Sequence, residues 1–220
     1  MMTSVRVFSL LVLVSAASSC APWSRVDFTD LVTSGRGGWQ RPEQVVEALA
    51  LAPGDHVAEI GAGDGYWLPW FSEAVGPTGH VYAVEVDDDL VAALEKRVAE
   101  EGFGNVTVVL GGFDDPALPD GAIDLAFTCL TYHHIEGRPD YFRRLRRDLS
   151  ERGRVAHLDD RPDVPPPFRW FQNEGHWSDP EAVRREMAEA GYRRLAEHDL
   201  LPVQSFQIFG PSERAEAPAR

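Results

Sequence analysis

The sequence predicts an α/β domain built on a doubly wound, mostly parallel sheet. Three observations point there. A short apolar run, His56 to Ile60, ends in three glycines at alternate positions, Gly61, Gly63 and Gly65. Such a run has the look of a buried strand, and glycines that follow it make a turn a ligand can approach closely. About 20 residues beyond Gly65 a second apolar run, Val81 to Val86, carries one acid, Glu85. Further strand-like runs then alternate with helical stretches along the chain. A strand, a glycine turn, a helix and a strand ending in an acid form one nucleotide-binding half of such a sheet. The acid suits a pair of ribose hydroxyls.

Composition sets outer limits. The chain has 220 residues, 44% hydrophobic and 25% charged, enough for a single domain with a sizeable core. Its net charge of -14 repels phosphate backbones, which argues against a nucleic-acid partner. The basic cluster Arg143, Arg144, Arg146 and Arg147 has the spacing of a solvated helix face.

Glycine spacing narrows the ligand. A dinucleotide fingerprint starting at Gly61 needs a third glycine at position 66, where this chain has the bulky Tyr66. A P-loop needs a lysine after its glycines, and the one lysine of the chain is Lys96. The loop therefore favours a nucleoside without a pyrophosphate over NAD or ATP. The pattern Glu59, Gly61, Gly63, Gly65, with Glu85 ending the next strand, resembles the class I S-adenosylmethionine (SAM) dependent methyltransferases. The likeness spans Trp39 to Pro211. It implies a Rossmann-like, seven-stranded, mostly parallel sheet with an antiparallel C-terminal hairpin in one domain. It also implies SAM as cofactor, held by Glu59, Gly61, Ala62, Gly63, Gly65, Glu85, Val86, Phe113, Asp114 and Thr128.

The N-terminus reads separately. Leu10 to Ala17 is an apolar core too short to span a bilayer, and it leads through small residues to Cys20. This resembles the lipobox of bacterial lipoprotein signal peptides, with Cys20 lipidated and residues 1–20 forming signal and box. The resemblance implies a lipid-anchored protein of the cell envelope. An ordinary secretory signal, or a signal that is not used in a cytoplasmic protein, stays open. Residues 21–38 read as a tether and 39–211 as the domain. Cys129, ending an apolar strand run, reads as a buried inert thiol.

Taken in order, Pro42 starts a helix whose apolar stripe is Val45, Val46, Leu49 and Leu51. The segment before it, with Trp39 and Gln40, is expected to fold over the cofactor; Trp39 as a packing residue is the alternative. Tyr66 to Ala74 reads as the helix after the glycine loop, its N-terminus able to hold a carboxylate. Asp87, Asp88 and Asp89 cap a helix from Leu90 to about Glu101. After the strand Val106 to Leu110, the resemblance places adenine at Gly111 to Asp115. Phe113 would cover the ring, and Asp114 would replace the acid absent at Gly112.

The strand Ala122 to Thr128 empties into Tyr132, His133 and His134, the chemistry candidates, because ligands of open α/β sheets bind beyond strand carboxyl ends. A histidine there can take a proton from an acceptor, although methyl transfer from a sulfonium needs mainly positioning. Two adjacent histidines without further ligands give no metal expectation. Pro139 to Leu149 reads as a helix and Arg154 to Asp159 as a strand. The proline-rich, aromatic segment 160–177 reads as a cover on the acceptor side, with Trp170, His176 and Trp177 shaping an apolar pocket to which Trp39 is also assigned; a plain surface crossover is the alternative. Ser178 is expected to cap the next helix, with Glu181 completing a capping box. Tyr192 to His198 and Gln204 to Phe209 form the terminal hairpin, and 212–220 a loose tail.

Two functions follow. One is a SAM-dependent methyltransferase acting on a small or medium molecule. The other is a lipid-tethered binding module that has kept the fold without transfer, suggested by the signal, since SAM is made in the cytoplasm.

Overall fold

Strand β1, His56–Ile60, alternates its side chains between two faces, as a strand must. Val57 packs against one apolar cluster, while Ala58 and Ile60 pack against another. That alternation explains why helices are needed on both sides of the sheet. In the computed structural model, residues 35–164 and 176–212 are described. Cys20, residues 21–34 of the expected tether, Trp170 with the rest of 165–175, and residues 213–220 lie outside the described residues.

Helix α1, Gly35–Gln40, is followed by α2, Pro42–Leu49, with Pro42 in its first turn. The first helix thus includes residues 35–38, which the composition had put in the tether. After β1 come α3 (Leu68–Val75), β2 (His80–Glu85), α4 (Asp88–Glu101), β3 (Val106–Leu110) and β4 (Ile123–Cys129). A 3-10 turn over Tyr132–His134 leads to α5 (Arg138–Leu145) and β5 (Leu149–Asp160). Helix α6 (Pro180–Glu189), β6 (Tyr192–His198) and β7 (Gln204–Pro211) complete the chain.

The seven strands run in the order β3-β2-β1-β4-β5-β7-β6. The first five are parallel, and β7 enters antiparallel between β5 and β6. This is the fold the sequence predicts. Val45, Leu49, Leu68, Phe71 and Leu94 cover one sheet face; Phe142, Leu145, Val183 and Met187 cover the other. Trp67 stacks on Phe71 at 5.8 Å and meets Phe127 edge-on at 5.0 Å, locking α3 to β4. Winding reverses between β1 and β4, so a crevice opens at their carboxyl ends.

Three local expectations change. The helix after the glycine loop starts at Leu68 rather than Tyr66, because residues 65–67 are used in the turn. Strand β5 begins five residues earlier than Arg154. The cap of α6 is Asp179, whose carboxylate accepts the Glu181 N–H, and not Ser178. Ser178 instead donates its hydroxyl to Asp159 at 2.6 Å. Asp87 caps α4 as expected, accepting from the amides of Asp89 and Leu90.

The expected basic face is spent on internal pairing. Arg143 pairs with Asp140, Arg144 with Asp114 and Arg147 with Asp115 and Asp120. Arg146 donates to the carbonyls of Gly191 and Ser212.

Candidate functional site

The glycine loop is built by left-handed backbone. Gly61 has φ +74°, and a Cβ there would run into the Thr131 side chain arriving from the end of β4. Gly65 has the same φ, and its Cβ would lie 2.9 Å from both Leu68 and Leu94. A side chain at either position would be strained. The amides of Gly61 and Ala62 both donate to the Val84 carbonyl, at 2.9 and 3.0 Å, so the loop is pinned to β2.

Glu85 ends β2 and is nearly buried. One carboxylate oxygen accepts the Gly63 amide at 2.9 Å; the other accepts the amides of Val86 and Asp87 at 2.7 and 3.3 Å. The oxygen that accepts from Gly63 has lone-pair capacity left for a further donor. Glu85 lines a cavity of about 460 Å³ together with Gly61, Val86, Phe113, Thr131 and His134. That volume is in the range of small-ligand sites. Phe113 stands at its edge with 79% of its surface exposed, free to cover a planar ring.

Glu59 lies under the loop, buried to 2%, and one of its carboxylate oxygens has no hydrogen-bond partner among the described residues. Burial raises its pKa well above the ordinary carboxylate value, against the opposing pull of Arg36. An unpaired buried carboxyl beside a glycine cradle fits a ligand that brings a cationic donor. Helix α1 lies across this corner. Arg36 sits over the Tyr66 ring at 4.1 Å, and buried Gln40 donates to the Cys129 thiol at 3.1 Å. Trp39 is half-buried within the same helix. Burial pushes the Cys129 thiol up to about 12, which makes it inert.

Of the ten expected cofactor residues, Gly61, Glu85, Val86 and Phe113 line the cavity; Glu59, Ala62, Gly63 and Gly65 belong to the strand end and loop beside it, and Thr128 and Asp114 face elsewhere. Thr128 is fully buried, and its hydroxyl pairs with His157 Nδ1 at 2.9 Å, because strand alternation sends it to the opposite face from Phe127. Asp114 is exposed and turned outward to Arg144, which also donates to its carbonyl at 3.1 Å. Gly112, where no acid stands, lines the cavity itself.

Tyr132, His133 and His134 separate in the structure. Tyr132 is buried, stacks on Phe142 at 5.4 Å and donates to Glu186 at 2.7 Å, so its hydroxyl is committed to a structural pair. Burial, and then that bond, push its pKa far above normal. His133 Nδ1 lies 3.0 Å from both oxygens of Asp159. The carboxylate must accept, so Nδ1 carries the hydrogen and Nε2 keeps its lone pair. Burial would raise the pKa of Asp159, but bonds and charges from His133, His157 and Ser178 outweigh it and hold it below the usual range. His134 lines the large cavity, and burial, followed by its histidine neighbours, lowers its pKa.

His133 also lines a second, adjacent cavity of about 260 Å³ with Trp177 and Ser178. His176 stands 5.3 Å, ring to ring, from both His133 and His134. A third histidine, distant in sequence, therefore stands beside the adjacent pair. Asp159 and Ser178 were missed as site residues. The signal for Asp159 was present, since it is an acid at a strand's carboxyl end, as Glu85 is.

With this geometry in place, known proteins can be set beside it. Residues 57–153 match the methyltransferase domain family. The match takes in β1 through the first part of β5, so it contains the glycine loop, Glu85 and the three-residue turn. Over 124 residues the chain is 33% identical to nocamycin O-methyltransferase of Saccharothrix syringae, covering 56% of this chain and 43% of that protein. It is 43% identical over 67 residues to protein-L-isoaspartate O-methyltransferase of Ignicoccus hospitalis, covering 30% and 32%. The chain thus spans less than half the length of these methyltransferases. A crystal structure of a SAM dependent methyltransferase from Aquifex aeolicus superposes with a TM-score of 0.68 at 24% identity, covering 87% of this chain and 98% of that one. The fold is the SAM-dependent methyltransferase fold, as the glycine pattern implied.

Proposed function

We propose that this chain is a SAM-dependent methyltransferase acting on a small or medium molecule. The observation that carries the proposal is the joining of the glycine loop to Glu85 at the rim of the large cavity. Bound SAM supplies an electrophilic methyl group on a sulfonium. Glu85 would accept from a ribose hydroxyl through the oxygen that also accepts from Gly63, and the Phe113 ring would cover the adenine. Glu59, beneath the loop, offers its unpaired oxygen to the ammonium of the methionine part. His133 and His134 stand on the acceptor side of the same rim. The lone pair on His133 Nε2, oriented through Asp159, is positioned to receive an acceptor proton. Trp177 walls the adjacent cavity, which suits an acceptor with an apolar portion. The negative net charge and the internal pairing of the arginine cluster favour such an acceptor over nucleic acid.

We further infer a lipid anchor at Cys20 that keeps the domain in the cell envelope; the short apolar core and the small residues before Cys20 support it. Labelling with a radioactive fatty acid should mark the chain and fail to mark Cys20→Ser; equal labelling of both would end that reading. For the activity, the purified full chain in detergent should release SAM or S-adenosylhomocysteine on denaturation, identified by mass spectrometry. Release of a dinucleotide in their place would contradict the proposal.

A further inference from the structure

His133, His134 and His176 each offer one ring nitrogen, and the three nitrogens lie within 4.8 Å of one another. Two come from the 3-10 turn after β4, and the third from the chain entering α6. Their ring centroids are 4.1 and 5.3 Å apart. His133 is held hardest. Its side chain is 7% exposed, Asp159 fixes Nδ1, and Nε2 is buried without a partner among the described residues. Asp159 is itself held by the Ser178 hydroxyl at 2.6 Å and the Asp160 amide at 3.0 Å.

A carboxylate that binds one imidazole nitrogen and so aims the other is how proteins orient metal-ligating histidines. Among the described residues, neither His134 nor His176 has a hydrogen-bond partner for its ring, so each can turn a ring nitrogen toward the cluster. We propose that His133, His134 and His176 bind one divalent transition-metal ion, zinc above all, with a fourth position left open. Three imidazoles suit zinc and its first-row neighbours and do not suit magnesium or calcium. Three protein ligands and one open position are the pattern of a catalytic rather than a structural zinc site. Metal–nitrogen bonds of about 2.0–2.1 Å require the nitrogens to close to roughly 3.4 Å. The exposed rings of His134 and His176 can turn to do so while His133 stays fixed.

The site lies between the two cavities, since His134 lines the larger and His133 the smaller. An open metal position there suits an acceptor hydroxyl or thiol, which the ion would make more acidic in place of proton transfer to His133, whose lone pair it takes; that consequence, unlike the site itself, rests on the methyl-transfer reading.

The test uses the untagged full chain in detergent, stripped with a chelator and titrated with Zn2+ by calorimetry and with Co2+ by visible absorption. One ion per chain and the absorption of tetrahedral Co2+ are expected. His134→Ala and His176→Ala, both at exposed positions, should weaken Zn2+ binding by more than about 100-fold, and Asp159→Asn by about 10–100-fold. SAM affinity, measured in the same samples, should survive His176→Ala. Absence of stoichiometric binding, or equal Zn2+ affinity in His176→Ala, overturns the proposal. Zinc bound by a chain that ignores SAM would keep the metal site and remove the methyltransferase reading.

Discussion

The carboxylate of Glu85 accepts the backbone amide of Gly63 at 2.9 Å, tying the end of β2 to the middle of the glycine loop. The residue proposed to read the ribose therefore also shapes the cradle that holds the rest of the nucleoside. Replacing it removes charged hydrogen bonds from both. Glu85→Gln keeps the size and loses the charge, so about 1–3 kcal/mol of SAM affinity should disappear, roughly 5–150-fold in Kd. Glu85→Ala should lose at least as much and also lower the melting temperature.

Gly61→Ala should destabilise the chain by about 1–3 kcal/mol, because the position needs φ +74° and Thr131 occupies the space a side chain would take. Adding Thr131→Ala relieves the collision and leaves the backbone strain. Denaturant melts of the single and double variants should show partial recovery; full recovery would remove the strain from the account.

Glu59 links ligand binding to pH. Its folded-state pKa is raised from the ordinary 4.5, first by burial. Above the ordinary value the ligand-free native chain holds a proton that the unfolded chain has released. Native stability contributed by this group therefore falls as pH rises toward the folded pKa. Glu59→Gln should flatten that slope and raise the melting temperature in mildly alkaline buffer. SAM binding should release a proton, read by calorimetry in buffers of different ionisation enthalpy, and Glu59→Gln should abolish the release.

Asp159→Asn tests the acceptor side. An amide at this position can donate to His133 Nδ1, moving the ring hydrogen to Nε2 and removing the lone pair. Turnover should fall about 10²–10⁴-fold while SAM affinity stays within twofold. Equal loss of both would mean a structural role only.

Cys129 should resist thiol reagents in a Cys20→Ser variant until the fold is melted, because its thiol is buried and pushed up to about 12. Fast labelling of the native variant would show that α1 opens from the end of β4, where Gln40 now bonds the sulfur.

What the sequence showed and what it hid divides along physical lines. Glycines that need positive φ, an acid at a strand end and apolar runs of strand length are local signals, and they located the loop, Glu85 and the seven strands. Side-chain direction in β4 was also encoded: alternation from Phe127 puts Thr128 against His157, away from the cavity lining. Pairings across long separations carry no such signal. His133 and Asp159 are 26 positions apart, and His176, just before α6, meets them only in the folded chain. Tyr132 resembled a catalytic group by position alone; its bond to Glu186 in α6 depends on packing that periodicity does not reveal.

The central claim is that the loop of alternating glycines and Glu85 hold a sulfonium nucleoside rather than a dinucleotide. Calorimetry of the full chain with SAM and with NADH, repeated on Glu85→Gln, addresses it most directly. The account predicts one SAM per chain, a weaker complex in the variant and no heat from NADH. Binding of NADH, or a SAM affinity indifferent to Glu85→Gln, would contradict it.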